Sequence, residues 1–398
     1  MITAASISHY KSISDAHLQF GPINIIVGPN GSGKSNIIDA IYFLHDCVVD
    51  GIDTAVTKRH GIDSLRQWSR TRPYNIVLEI RLESFVGSGS YKVVISSAKG
   101  QYKIIEEFGY WNGAHPRERH RVQAEKKYSS FSRSESGEIK IYTPFEELIR
   151  DRIQKVDHED LFLTSLLGRF AFGELQIFRP IADELNSFSK YNIYPNTLRS
   201  PQLVSRETTL AEDGGNLSSV LKRINSNKRY VEIKNDIITA LRALMPSLVD
   251  FQVRSAAGYY VPVLRVQEPN DDIHDFNLSQ ISDGTLRTLG LLAAFYQPAA
   301  PTKIGVEEPE QMIHPGALAV IHEAITAFAR DDERREPRQA FITTHSPTLL
   351  DLFEPEHIIW TRFKNGVTEC GPVKSRQLDI IKKQLFTAGE LLIAEGLF

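Results

Sequence analysis

Apolar residues along this chain fall into two periods, and the places where the period changes mark its elements. Residues 2–7, 17–20 and 23–27 read as short strands; the last, the β-branched Ile23-Asn24-Ile25-Ile26-Val27, reads as a buried strand that stops at Gly28. Residues 36–44 change to a helical period, with Ile37, Ile38, Ile41 and Leu44 on one face. A polar stretch follows at 56–72. Residues 74–82, 91–95 and 102–105 then alternate, with Gly-Ser and Lys-Gly turns between them, which predicts an antiparallel meander. Residues 144–178 and 231–244 read as helices, and 251–255 with 259–266 as a strand pair. The last third alternates strand and helix. Strands are expected at 303–306, 340–343 and 358–361, and Lys364-Asn365-Gly366 turns into a fourth; Leu318, Ile321, Ile325 and Phe328 stripe a helix. No heptad persists and no internal repeat is present.

This order predicts an α/β fold with a mixed sheet. The strand at 23–27 must join the sheet of the last third, so a long insertion separates two halves of one domain. The expected division is 1–109, then a mainly helical insertion at 110–249, then 250–398. At 398 residues the chain can bury a large core, and 41% hydrophobic with 24% charged is ordinary for a globular protein. The net charge of −3 excludes a broadly basic surface, so any nucleic-acid contact must be a local patch. Cys47 and Cys370, without a CxxC, exclude a disulfide framework and a zinc ribbon and fit a reducing cytoplasm. The N-terminus carries no charged-then-apolar leader, and the longest apolar run, 289–296, is too short to span a bilayer. A cytoplasmic protein without a membrane segment is expected.

Between the strand at 23–27 and the helix at 36–44 lies Gly28-Pro29-Asn30-Gly31-Ser32-Gly33-Lys34-Ser35, which fits G-x-x-x-x-G-K-[ST] in the strand–loop–helix setting the motif needs. A triphosphate carries several negative charges and needs many donors. Glycines let the backbone curl and aim successive N–H groups inward, and the helix start adds unpaired N–H groups and the positive end of its dipole. Lys34 is expected to reach the β- and γ-phosphates, and the Ser35 hydroxyl to ligate Mg²⁺.

A phosphate loop alone hydrolyses nothing; it needs a metal-side acid and a group that acts on water. Ile304-Gly305-Val306-Glu307-Glu308-Pro309 is an apolar strand ending in adjacent carboxylates, which point to opposite sides. Glu307 is expected to approach Mg²⁺, and Glu308 to act on the attacking water. His345, in Thr343-Thr344-His345-Ser346, ends the next strand and is placed to sense the γ-phosphate. In Ser279-Gln280-Ile281-Ser282-Asp283-Gly284-Thr285, Ser282 can cap the helix that follows; taken alone, the pattern is also a common turn. Arg117, Arg119, Arg121, Lys126, Lys127 and Arg133 form a basic stretch. It reads either as a nucleic-acid-facing patch or as a solvated face, and no aromatic residues interleave it for base stacking.

Taken together, the loop with Asn36 after it, Ser282-Asp283-Gly284-Thr285, Glu307-Glu308-Pro309-Glu310, His314-Pro315 and Thr344-His345-Ser346 resemble the ABC-type ATPases of the RecF/SMC/OLD-like class. Tyr10-Lys11-Ser12-Ile13, Asn196-Thr197-Leu198-Arg199 and Asp213-Gly214-Gly215-Asn216-Leu217 look like further parts of its stand-alone members. The resemblance implies a P-loop NTPase fold of the ABC head type. It implies nucleotide contacts from Asn30, Gly31, Ser32, Gly33, Lys34, Ser35 and Asn36. It also implies that Ser282, Asp283 and Gly284 are a signature motif touching ATP held by a second copy. Two chains would then close head to tail around two ATP molecules, each with Mg²⁺, in a homodimer. The departures are Glu307 where many relatives have Asp, Ser-Asp-Gly-Thr for the signature, and no glutamine loop beyond Gln67. Lys11 corresponds to a basic residue that helps bind nucleotide in this class. The implied role is an ATPase engaging DNA in repair or phage defence. The alternative is a nucleotide-locked scaffold for a separately encoded effector such as a nuclease. A GTP switch is disfavoured because Asn227-Lys228-Arg229-Tyr230 breaks the guanine-reading pattern at its last position.

Overall fold

In the computed structural model, which describes residues 1–69, 73–113, 127–143, 156–157, 160–168, 174–330 and 337–394, one long sheet organises the chain. Its described strands, in chain order, are β1 (Ile2–Tyr10), β2 (Ile13–Gln19), β3 (Ile23–Val27), β4 (Ile76–Ser84), β5 (Gly87–Ala98), β6 (Gln101–Gly113), β7 (Lys127–Arg133), β8 (Ile139–Tyr142) and β9 (Phe188–Tyr191). After these come β10 (Gln202–Leu203), β11 (Leu248–Ala256), β12 (Tyr259–Gln267), β13 (Ile273–Asn277), β14 (Lys303–Glu307), β15 (Gln339–Thr344), β16 (Ile358–Lys364) and β17 (Val367–Pro372).

Thirteen of these strands lie in the order β8-β7-β6-β5-β4-β1-β2-β17-β16-β3-β15-β14-β9. The run from β16 through β3, β15 and β14 to β9 is parallel; the run from β8 to β2 is antiparallel throughout. The seam is β17, antiparallel to β16 and parallel to β2. Burial follows this division. All five residues of β3 are buried, as a parallel strand covered on both faces requires, whereas β4 alternates buried and open positions. A second sheet joins β10, β11, β12 and β13.

Two hydrophobic cores lie on opposite faces of the long sheet. Ile25 and Val27 point into one, with the helices Asp283–Tyr296 and Leu318–Ala329. Ile26 points into the other, with the helix Lys34–Val49 and the inner residues of β4 to β7. The segment 110–249 supplies helices, as its pattern predicts, but it also supplies strands that the pattern did not reveal. β7 and β8 extend the antiparallel wing, and β9 edges the parallel half. β6 and β11 run through positions 110 and 250, so neither position is a break in the backbone structure. The C-terminal helix Ala388–Ile393 docks on its own chain: Leu391 is buried and the Gly389 N–H donates to Asp351 at 2.6 Å.

Candidate active site

The loop after β3 is held from behind by serines and threonines of the distant strands. The Thr361 hydroxyl donates to the Val27 carbonyl at 3.1 Å and so accepts from Ser32 Oγ at 2.6 Å. The Thr368 hydroxyl donates to the Ser32 carbonyl at 2.9 Å and accepts from Ser12 Oγ at 2.6 Å, which in turn accepts from the Asn36 amide at 2.7 Å. Two glycines are required by crowding. A Cβ on Gly28 would lie 2.2 Å from the Thr361 carbonyl, and one on Gly33, whose φ is +97°, would lie 2.1 Å from Thr368 Oγ1. Asn30 and Gly31 form the exposed rim of the loop. Helix Lys34–Val49 begins directly after Gly33; the Asn36 N–H donates to the Gly33 carbonyl at 3.1 Å, and the N–H groups of Lys34 and Ser35 have no intrahelical partner. Donors unpaired at a helix start are a setting that suits an anion.

Lys34 is buried, and its ammonium donates to the Gly28 and Pro29 carbonyls at 2.8 and 3.1 Å. It also lies 3.9 Å from Glu308 Oε1. Burial lowers its pKa, against the pull of Glu308, Glu310 and Glu307. Ser35 Oγ donates to Glu307 Oε2 at 3.0 Å. The other Glu307 oxygen is ion-paired at 2.7 Å with Lys190, on edge strand β9. Burial works against the Lys190 charge, but the Glu307 carboxylate prevails and its pKa is raised.

Glu308 leaves the strand in the left-handed region, with φ +44°. Its N–H donates to the Thr343 carbonyl at 2.9 Å, which fixes that turn. The carboxylate thereby turns away from Glu307: it accepts from Gln311 Nε2 and lies 3.3 Å from His345 Nδ1. The neighbouring carboxylate, Glu310, is a buttress. Its Oε1 accepts from Thr344 Oγ1 at 2.7 Å and from the His345 N–H at 3.1 Å. Behind both acids the buried Arg287 donates to the Glu308 carbonyl at 3.0 Å and to the Ile193 carbonyl at 2.7 Å.

The predicted residues thus divide into two groups. Lys34, Ser35, Glu307, Glu308 and His345 are gathered at one sheet edge by direct contacts. Ser282, Asp283 and Gly284 make no hydrogen bond or ion pair with that group among the described residues. Ser282 caps its helix, its Oγ accepting from the Thr285 N–H at 3.3 Å. Asp283 pairs with Arg199 at 2.6 Å, and a Cβ on Gly284 would lie 2.7 Å from the Met312 carbonyl. Ser282, Asp283 and Met312 are exposed together. Lys11 is ion-paired with Asp39 at 2.6 Å, and the Gln67 N–H is tied to the His9 carbonyl. Of the basic stretch, Arg117, Arg119, Arg121 and Lys126 lie outside the described residues. Arg133 is not part of any surface patch: it is buried and donates to the Ile104 and Asp157 carbonyls.

Sequence reading missed Arg287, Lys190, Gln311, Ser12, Thr361 and Thr368. Arg287 follows the signature segment by one helical turn, Gln311 directly follows Glu310 and Ser12 lies beside Lys11, all usable signals; Lys190, Thr361 and Thr368 are single residues far from any motif.

A family model described as "AAA domain, putative AbiEii toxin, Type IV TA system" matches residues 23–351. The chain belongs to this family. Within it, the chain has the P-loop ATPase head of the ABC type, in the RecF/SMC class, with ATP as the nucleotide of the family. Residues are 46% identical over 59 positions to the DNA replication and repair protein RecF of Phocaeicola vulgatus, covering 14% of this chain and 16% of that protein. They are 28% identical over 118 positions to RecF of Porphyromonas gingivalis, covering 28% and 31%. The matches therefore span less than a third of these curated relatives. The fold is that of a solved Smc head bound to the C-winged helix domain of ScpA, with 13% identity, TM-score 0.51, and 94% and 98% of the two chains covered. It is also that of an Smc head with an extended coiled coil bound to the C-terminal domain of ScpA derived from Pyrococcus furiosus, with 11% identity, TM-score 0.50, and 96% and 99% covered. Among the described residues of this AAA-domain chain, no helix is long and apolar enough to cross a membrane.

Proposed function

We propose that the protein binds ATP with Mg²⁺, hydrolyses it, and closes as a homodimer around the nucleotide to act on DNA, in repair or phage defence. One observation carries the reading. Glu308 is turned to lie between Lys34 and His345, while Glu307 is held on Ser35 by the opposite side of the same strand end.

The residues support a division of labour. The loop N–H groups and Lys34 take the phosphate charge, and a bound phosphate would oppose the lowering of the Lys34 pKa by burial. Ser35 and Glu307 present oxygen donors side by side, the hard-ligand set that suits Mg²⁺ shared with phosphates. When bound there, Mg²⁺ would neutralise developing phosphate charge. Glu308 accepts the proton of the attacking water, and His345 holds Glu308 and faces the γ-phosphate. Ser282-Asp283-Gly284 of a second copy, with Ser282 and Asp283 exposed, completes the pocket, since among the described residues these make no hydrogen bond or ion pair with their own chain's loop. The RecF relatives, named for DNA replication and repair, support the DNA half of the reading.

A second reading has its own support. Gln311, His345 and Lys34 all surround the Glu308 carboxylate and compete with water for it. Slow hydrolysis would suit a nucleotide-locked scaffold for a separately encoded effector. ATP turnover with and without DNA separates the two. Glu308→Gln is expected to lower turnover by about two to four orders of magnitude and to trap an ATP-dependent dimer in light scattering. Turnover indifferent to Glu308 removes the hydrolysis mechanism, and turnover indifferent to DNA removes only the DNA half.

A further inference from the structure

The outer face of the antiparallel wing departs from its surroundings. Its inner face is ordinary core: Tyr91, Val93, Trp111 and Phe131 are buried. The solvent face of such a sheet is normally polar. Here four aromatic rings stand on it. Tyr128 and Tyr142 are 47% and 56% exposed, and Phe108 and Tyr110 are half-buried. Ring centroids follow one another at 6.4 Å from Phe108 to Tyr110, 5.8 Å from Tyr110 to Tyr128 and 5.9 Å from Tyr128 to Tyr142.

The register explains why these rings stay open. Directly across the strands Tyr110 faces Ser90 and Ser130, Phe108 faces Ser132, Tyr142 faces Ser130, and Tyr128 faces Asn112. Among the described residues no ring has an aromatic partner directly opposite, the arrangement that would use it to stabilise the sheet. Phe108 and Tyr110 are successive outward residues of β6, and Tyr128 meets Tyr110 and Tyr142 diagonally to either side of the row that Ser130 occupies between them. Lysines stand at both ends of one row: Lys92 opposite Phe108, and Lys140 opposite Ser132. At the other end, Gly113 pairs with Lys127.

We propose that this cluster of Phe108, Tyr110, Tyr128 and Tyr142 is a stacking platform for the unpaired bases of a single-stranded nucleic acid. Successive rings on a strand face, with cations at the margins, are the surface on which consecutive bases stack without sequence preference. A duplex hides its base faces and gains nothing from the rings. The inference deepens the DNA reading above by naming the form of nucleic acid, and it rests on that reading; it does not depend on hydrolysis.

The test is fluorescence anisotropy of labelled oligo(dT), oligo(rU) and a duplex of equal charge with the full-length protein. Both single strands are expected to bind more tightly than the duplex, their ratio reporting the preferred sugar. Tyr128→Ala is expected to weaken oligo(dT) binding by roughly tenfold, and Tyr110→Ala with Tyr128→Ala by more. Tyr128→Phe keeps the ring and should stay within about twofold. Unstimulated ATP turnover and melting temperature should not move, because these side chains touch neither the site nor the core. Equal or tighter duplex binding, a double variant that binds like wild type, or a platform that holds a protein but no oligo(dT) overturns the proposal. A wild-type protein that hydrolyses ATP but does not bind oligo(dT) defeats this inference alone; a wild-type protein that binds oligo(dT) but does not hydrolyse ATP defeats only the hydrolysis claim.

Discussion

The parallel half and the antiparallel wing use one sheet in opposite ways. In the parallel half, both faces are covered, so chemistry is possible only at strand ends. There the turns after β3, β14 and β15 bring Lys34, Glu307, Glu308 and His345 together. In the wing, one face is open, and what it offers lies in the middle of strands, in rows that cross β5 to β8. A site made at strand ends comes as short local motifs. A surface made across strands has no local motif at all.

The difference predicts where a single methyl group matters most. Gly28→Ala puts a carbon 2.2 Å from the Thr361 carbonyl and 2.5 Å from its hydroxyl, and both belong to the strand paired with β3. Neither can retreat without breaking the sheet. We expect a loss of about 3 kcal/mol in urea unfolding and a fall in ATP affinity of at least roughly tenfold, read by nucleotide titration. The surface glycine Gly258, with no atom near its Cβ position, is the control for crowding, although its positive φ carries its own backbone strain.

These particulars show what the linear chain could and could not disclose. The loop after β3, the paired acids and the histidine were readable because backbone turns place them within a few positions of a strand end. The residues that hold them were not. Thr368 lies 336 positions from Ser32, and Thr361 lies 329 positions from the same residue. Lys190 sits in the insertion read as mainly helical, in a stretch given no element of its own, and enters the site because β9 pairs with β14. The basic stretch was read without aromatic company, but Tyr128 and Phe131 lie between Lys127 and Arg133, and the linear order does not show that Phe131 turns inward and Tyr128 outward. The rings arrive from Phe108, Tyr110, Tyr128 and Tyr142, brought together by antiparallel register.

A wing with an open face still needs one anchor to the rest, and Glu107 supplies it. This carboxylate on β6 is fully buried, and it accepts from Tyr91 Oη at 2.9 Å and from the N–H groups of Phe162 and Leu163 at 2.7 and 3.0 Å. The helix Phe162–Gly168 that it caps is tied to the P-loop helix through Thr164 Oγ1 and the Cys47 carbonyl at 2.9 Å. Glu107→Ala leaves three buried donors unpaired. A loss of about 2–4 kcal/mol is expected in urea unfolding, with the ATP affinity of the folded fraction close to wild type. A large fall in affinity at full folding would show that the wing shapes the nucleotide site and is not merely fastened to it.

The smallest effect should come at the seam. Thr368 lies on β17, the strand that is antiparallel to the nucleotide half and parallel to the wing. Its hydroxyl donates to the Ser32 carbonyl of the loop and accepts from Ser12, in the turn between β1 and β2. Valine has the same shape without the hydroxyl. Thr368→Val therefore keeps the packing and removes two hydrogen bonds, at a cost of about 1–2 kcal/mol. Ser12 still receives the Asn36 amide, so the helix start is retained while the loop carbonyl loses its donor. If the two halves work independently, only ATP affinity should fall, by a few-fold, and oligo(dT) binding should be unaffected. If ATP is felt across the seam, nucleotide will change oligo(dT) affinity in the wild type, and that difference will shrink in Thr368→Val. Measuring oligo(dT) binding with and without ATP in both proteins decides between a sheet that merely carries two surfaces and one that couples them.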